Sequence, residues 1–199
     1  MKIEGLTFSY GNNLIFEKVS FETNSKIAVL TGPSGCGKTT FLKIAAGWAT
    51  PSTVSMDYNT KGTLLVIQED AFLPWLSGIE NIRFVLPEKV ASIKNHALYE
   101  EVRSFIEKKA YEMSFGQRRC LEIFRAILAA PAILLLDEPF NFLDRSFRKA
   151  MVDSLLDVTH QQTQLIFTSH YNEDISDLSA EVFYLNGQFP YSNLIIKSK

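Results

Sequence analysis

Cysteine is scarce in this 199-residue chain, which has only Cys36 and Cys120. Cys36 falls in a glycine-rich loop and Cys120 in a helical pattern; neither is good material for a disulfide, and a reducing cytoplasm fits. Long hydrophobic runs are missing too. The longest clean one is AILLL at 132–136, far short of the roughly 20 residues that span a bilayer, so the chain is not expected to cross a membrane by itself. The opening MKIEGLTFSYG has no continuous apolar segment and no small-residue cleavage site, so no secretory signal is expected. Charge of one sign is not in excess either: 20 Lys and Arg face 22 Asp and Glu, a net charge of −2. That balance offers no electrostatic footprint for nucleic acid. At 46% hydrophobic and 21% charged, the composition is that of a soluble globular protein. The length suits one domain with a full core and is too short for two standard ones.

The most informative stretch present is Thr31-Gly32-Pro33-Ser34-Gly35-Cys36-Gly37-Lys38-Thr39-Thr40, which contains the G-x-x-x-x-G-K-[ST] spacing of a phosphate-binding loop. A chain wrapping closely around a polyphosphate needs residues without a Cβ, and Gly32, Gly35 and Gly37 supply them. The wrapped backbone points N–H groups inward, and the following helix adds the positive end of its dipole. Lys38 brings a full charge to the outer phosphates. Thr39 offers a hydroxyl oxygen to Mg²⁺, a hard ion that prefers oxygen. Four specified positions would match by chance in a chain of this length roughly one time in a hundred. Context lowers that further: 27–31 (IAVLT) reads as a buried strand and 39–46 (TTFLKIAA) as a helix with Phe41, Leu42, Ala45 and Ala46 inward.

Elsewhere the pattern is of strands and helices with polar residues at the strand ends. Residues 3–8 and 14–21 alternate around Gly11-Asn12-Asn13, a β-hairpin signal. Tyr10 beside the turn either packs or offers a flat face to a nucleobase. A polar stretch runs from Pro51 to Gly62, after which 63–67 (TLLVI) is an apolar strand delivering Gln68 at its end. Ligands bind outside the carboxyl ends of strands in parallel α/β sheets, although a polar strand end is also an ordinary way into a loop. Residues 71–76 (AFLPWL) are either a folded-over core loop or an exposed patch for a partner. Ser77 and Glu80 form a capping-box pair for a helix to about Leu86. A largely solvated helix is expected from Ile93 to Lys109, with His96 a plain surface histidine. Ser114 and Gln117 repeat the capping-box spacing ahead of a helical pattern to Ala129. With Gly116 in its first turn, that helix start is suited to an anion, though capping explains the same residues.

The strand 133–136 ends in Asp137 and Glu138. An all-apolar strand implies burial on both faces, as in a parallel sheet. Two acids at its end are costly near a core unless a cation or a reaction uses them. One acid holding Mg²⁺ and the next polarising a water is the division of labour that phosphoanhydride hydrolysis requires. Asp144 caps an expected helix to about Thr159, with Phe147, Met151, Leu155 and Val158 inward. Residues 164–168 form another apolar strand, leading to His170, structural or functional. Strands at 181–185 and 189–196 flank an expected Asn186-Gly187 turn.

In this order, these residues resemble the ATP-binding cassette (ABC) ATPase domain over nearly the whole chain. Tyr10 matches the adenine-stacking aromatic, residues 32–39 Walker A, Gln68 the Q-loop, and Asp137 and Glu138 Walker B. Residues 141–144 (NFLD) resemble the D-loop, and His170 matches the switch histidine. Residues 113–117 (MSFGQ) resemble the signature motif, usually Leu-Ser-Gly-Gly-Gln, with Met113 and Phe115 as departures. The resemblance implies an α/β fold: a P-loop NTPase core with a mainly parallel sheet, a small N-terminal antiparallel β lobe and a helical subdomain at about 71–125, all within a single domain over 1–199. It also implies that ATP and Mg²⁺ are bound, with Thr39, Gln68 and Asp137 toward the metal. Pro33, Ser34, Cys36 and Thr40 complete the nucleotide loop, and Glu138 acts as the base, with Lys38, Gln68 and His170 beside it.

A head-to-tail dimer is implied, homodimeric or with a related cassette, in which Ser114, Gly116, Gln117 and Asp144 of one chain face the nucleotide of the other. The 30 residues from Lys38 to Gln68 are few for the family, so a trimmed antiparallel lobe is expected, and no room is expected for a regulatory domain. Residues Ala71–Leu76 lie where a transmembrane permease subunit would insert a helix, and Leu73-Pro74-Trp75 resembles the nitrate, sulfonate and taurine importer subgroup. The function so implied is an ATP-hydrolysing subunit of a membrane transporter, attached to the cytoplasmic face through the permease. The alternatives are a non-transport ABC ATPase, a P-loop small-molecule kinase, or a scaffold that binds nucleotide without hydrolysis.

Overall fold

The computed structural model describes residues 1–160, 162–170, 178–188 and 191–197, with side chains described as far as Asn186 except at Ser146. Two compact units emerge. The first comprises 1–65, 132–138 and 164–199, the second 66–131 and 139–163.

In the first unit, β1 (Lys2–Tyr10) and β2 (Asn13–Glu22) form the expected hairpin. The other edge of β1 pairs with β4 (Thr53–Met56), giving a three-stranded antiparallel sheet. Nothing in the composition of 51–62 announces β4. Three of its four residues are exposed, so it carries no apolar alternation and is held mainly by main-chain pairing.

The second sheet has the order β5-β6-β7-β3-β8-β9. Its strands are β3 (Ile27–Thr31), β5 (Thr63–Val66), β6 (Ile133–Leu136), β7 (Gln164–Thr168), β8 (Glu181–Gln188) and β9 (Tyr191–Lys197). β6, β7, β3 and β8 run parallel, and β9 returns antiparallel at the edge. The interior strands β3 and β6 are almost wholly buried, whereas β5 at the other edge buries only Leu65. The expected Asn186-Gly187 turn is corrected: both residues lie within β8, opposite Asn193 and Ser192. A short polar pair inside an otherwise alternating strand mimics a turn signal, and long cross-strand pairing overrides it. Pro190 and Phe189 lie outside the described residues.

Helix α1 (Lys38–Ala45) starts one residue before the expected position and buries Phe41, Leu42, Ile44 and Ala45. Phe41 meets Phe16 and Phe21 edge-on at 6.3 and 5.2 Å, and Phe21 meets Phe183 at 4.5 Å. Burying each such ring contributes about 2–3 kcal/mol, so this aromatic cluster anchors the helix that follows the phosphate loop.

The second unit contains α2 (Gly78–Val85), α3 (Tyr99–Val102), α4 (Phe115–Ala129) and α5 (Arg145–His160). Both predicted capping boxes are present, at Ser77/Glu80 and Ser114/Gln117. The long solvated helix expected over 93–109 is not. A 3₁₀ segment spans Pro87–Asn95, and α3 is a single turn. Ile93, Leu98, Val102, Phe105 and Ile106 are all buried. His96 breaks the helix because its Nδ1 accepts the Leu98 N–H at 3.2 Å, a local bond that competes with the helical ladder. It is not a plain surface residue: its ring lies 5.0 Å from that of Phe124, and burial pulls its pKa down.

Candidate active site at the ends of three parallel strands

Sheet order decides what meets in the first unit. β7 lies between β3 and β6, with Leu30 opposite Thr168 and Leu136 opposite Phe167. The segments leaving the carboxyl ends of these strands therefore emerge side by side, as expected of a ligand site in a parallel sheet. They are the glycine loop after β3, Asp137-Glu138 after β6, and Ser169-His170 after β7.

In the loop, Gly37 has φ 98°, and a Cβ there would stand 3.0 Å from the Phe16 ring. Only glycine takes that backbone without strain. Pro33, Ser34 and Gly35 are exposed, Gly32 and Thr40 half-buried. The buried Cys36 has its thiol pushed up by burial, opposed by the Lys38 charge. Lys38 is buried, and its Nζ donates to the carbonyls of Gly32 (3.0 Å) and Pro33 (3.1 Å). The ammonium is thus held against the loop that it is expected to serve.

The buried Asp137 is gripped by two hydroxyls. Thr39 Oγ1 donates to its Oδ2 at 2.6 Å, and Thr168 Oγ1 donates to its Oδ1 at 2.7 Å. Thr168 also accepts the Glu138 N–H at 2.8 Å. That bond fixes Glu138 in the left-handed region at φ 47°, a conformation costing a non-glycine residue about 1–2 kcal/mol. From there Glu138 Oε1 lies 2.6 Å from His170 Nε2, with both side chains partly accessible. The unit thus brings Lys38, Thr39, Asp137, Glu138 and His170 to one strand-end cluster. Tyr10, also in this unit, packs as one of the two sequence readings expects and stays partly exposed. Its ring meets Phe8 edge-on at 4.8 Å while half of the residue remains exposed.

The other sequence-singled residues belong to the second unit. Gln68 is exposed. The hydroxyl of Ser114 accepts the Gln117 N–H at 3.2 Å, and Gln117 Oε1 accepts the Ser114 N–H at 3.0 Å. The reciprocal cap is therefore real. Phe115, standing where the usual signature has glycine, packs its ring on Phe142 at 4.8 Å and leaves the cap undisturbed. Gly116 faces backbone, since a Cβ there would meet the Phe142 carbonyl oxygen at 2.5 Å. Met113 is buried, and Asp144 caps α5 by accepting the Phe147 N–H at 3.0 Å.

A family model described as "ABC transporter" matches residues 16–141. The chain belongs to the ABC transporter family. It is similar to the spermidine/putrescine import ATP-binding protein of Legionella pneumophila (strain Paris), 33% identical over 94% of the chain and 56% of that protein. It is also similar to the taurine import ATP-binding protein of Pseudomonas aeruginosa (strain UCBPP-PA14), at 34% over 80% of the chain and 66% of the relative. The chain thus spans little more than half the length of the polyamine relative. In fold it resembles a dimeric bacterial ABC transporter cassette, with a TM-score of 0.79, 21% identity, and coverage of 92% of this chain and 93% of that one. Membership of this ABC family implies nucleotide binding, and the α/β architecture expected from sequence is the one found.

One residue of this candidate site escaped sequence reading. Thr168 is completely buried and links Asp137 to the Glu138 backbone. It looked like a strand residue because threonine suits β-strands. Its only sequence signal was a hydroxyl at the last position of an otherwise apolar strand.

Proposed function

We propose that the chain binds ATP with Mg²⁺ and hydrolyses it, as the ATP-hydrolysing subunit of an ABC importer. The observation that carries this reading is the Thr39–Asp137–Thr168 network beside the Glu138–His170 pair. A hydroxyl and a carboxylate are hard oxygen donors, so Thr39 and Asp137 fit Mg²⁺, and the resemblance adds Gln68. When bound, the ion neutralises charge on the β- and γ-phosphates.

The phosphate loop, from Gly32 to Thr40, wraps the phosphates with its N–H groups, and the Lys38 ammonium offers charge to the outer ones. Glu138 accepts a proton from the attacking water. The water oxygen bonds to the γ-phosphorus, the bond from that phosphorus to the bridging oxygen breaks, and ADP leaves with the electron pair. His170, in contact with Glu138 Oε1, orients the carboxylate. Thr168 holds the glutamate backbone in place and keeps Asp137 aimed at Thr39.

The same reading takes two cassettes in a head-to-tail dimer, the Ser114–Gln117 segment of one toward the nucleotide of the other. A permease docks against 71–76 and keeps the subunit at the inner face of the membrane. Phe72 is buried and anchors this segment, whereas Trp75 is 63% exposed. Tyr111, 67% exposed, donates its N–H to the Pro74 carbonyl at 3.1 Å and extends the aromatic surface. Such patches mark protein contacts. Because importer relatives carry this family's sequence pattern, an importer is the transporter class proposed.

The direct test is ATP binding by calorimetry and phosphate release, with wild-type chain and Lys38→Ala. The expected result is Mg²⁺-dependent hydrolysis by the wild type and at least tenfold weaker ATP binding by the variant. Wild-type affinity in Lys38→Ala would remove the loop from nucleotide binding.

A further inference from the structure

The second unit contains a buried ionic arrangement that the roles above do not use. Arg119 and Glu122, one turn apart on α4, have side chains only 2% and 3% exposed, with Arg119 Nη1 3.4 Å from Glu122 Oε2. Both reach the same short segment. Arg119 Nη1 donates to the Ile67 carbonyl, and Glu122 Oε1 accepts the Ala71 N–H at 2.6 Å. Neighbouring residues of α4 add to the grip. Arg118 Nε donates to the Asp70 carboxylate while its Nη1 donates to the Met113 carbonyl at 2.6 Å. One turn further, the Arg125 guanidinium covers the Phe72 ring at 4.9 Å.

The held residues are Ile67, Asp70, Ala71 and Phe72. They bracket Gln68 and Glu69, which are exposed. Charges buried this deeply are costly and persist only where good geometry compensates them. Here the geometry fixes a strand-exit segment that has no regular secondary structure of its own.

We propose that Arg119 and Glu122 are positioning residues for Gln68, clamping its segment to α4 so that Gln68 and the Ser114–Gln117 helix start move as one body. The inference rests on the role proposed for Gln68 on the Mg²⁺ side of the site and adds the device that aims it. Arg118 completes the linkage, because it joins Asp70 on one side to the residue preceding Ser114 on the other.

A double-mutant cycle tests it, with ATP turnover by the purified chain as one readout and amide hydrogen exchange as the other. The variants are Glu122→Ala, Glu122→Gln, Gln68→Ala and the Glu122→Ala/Gln68→Ala pair. Glu122→Ala should lower kcat about 10- to 100-fold, the loss expected when a catalytic group is misplaced by about an ångström. Glu122→Gln keeps an oxygen for the Ala71 N–H and should rescue most of that loss. In the Gln68→Ala background, Glu122→Ala should add little, since sites acting through one another are not additive. Exchange at 67–72 should rise at least tenfold in Glu122→Ala while α4 stays protected.

An unfolded Glu122→Ala is replaced by Arg119→Met/Glu122→Met, because apolar substitutes for a buried pair are commonly tolerated. The same exchange increase is expected there. Losses that multiply, or exchange that rises equally over α4 and 67–72, would overturn the clamp and leave the role of Gln68 standing. A wild-type rate in Gln68→Ala would overturn both.

Discussion

Thr168→Val removes one hydroxyl and little volume, which makes it a sharp perturbation of the strand-end cluster. Two buried hydrogen bonds disappear: the donation to Asp137 Oδ1 at 2.7 Å and the acceptance from the Glu138 N–H at 2.8 Å. A buried group deprived of its partner costs about 1–3 kcal/mol, with hydrogen bonds to charged groups toward the upper end. Relief of the left-handed Glu138 backbone at φ 47° returns about 1 kcal/mol. The net loss is therefore about 1–5 kcal/mol. At about 2–4 °C per kcal/mol for a chain of this size, the melting temperature should fall by roughly 2–20 °C. Thr168→Ser keeps the hydroxyl and loses one methyl, worth about 1 kcal/mol. The hydroxyl contribution is the difference between the two variants, read by thermal unfolding followed by circular dichroism. Turnover should separate them too, Val losing about 10- to 100-fold through displacement of Glu138 and Ser staying within a few-fold. Equal melting temperatures and equal rates for Val and Ser would refute the clamp role of Thr168.

Glu80 gives a pH prediction. The Ser77 N–H and the Lys109 ammonium hold its carboxyl down at about 2, against 4.5 ordinarily. A lowered folded-state pKa contributes stability that is present above pH 4.5 and is lost as the pH falls toward 2. Carbon-13 NMR of the Glu80 carboxyl should titrate near 2 and shift upward in Lys109→Ala; a wild-type midpoint near 4.5 would show the capping box open in solution. Trp75→Glu should uncouple the chain from a co-expressed permease while leaving its own ATPase rate within about twofold. Undiminished co-purification would show that the 71–76 surface is not the contact.

Most of the cluster was legible because its chemistry sits at strand ends. IAVLT, ILLL and QLIFT are apolar, and each hands over abruptly to loop or polar residues, so Lys38, Asp137, Glu138 and His170 stood out. Periodicity also located α4 and α5, whose apolar residues recur at helical spacing. What stayed hidden depends on contacts distant in sequence. β4 has no buried face and exists through pairing with β1. The 93–109 region reads as helix until Nδ1 of His96 is seen bonded to the Leu98 N–H. The sequence does not single out Arg119 and Glu122, because it does not reveal that Ile67 and Ala71 lie against them.

Glu138 is proposed to activate the attacking water in a site that binds ATP independently of it. Glu138→Gln keeps the size of the side chain and removes its basicity, so nucleotide binding and phosphate release measured on one preparation separate the two roles. ATP affinity should stay within a few-fold of wild type, phosphate release should fall about 10²- to 10⁴-fold, the range a general base supplies, and a dimer should persist with ATP bound. Turnover of Glu138→Gln at the wild-type rate would contradict the role proposed for Glu138.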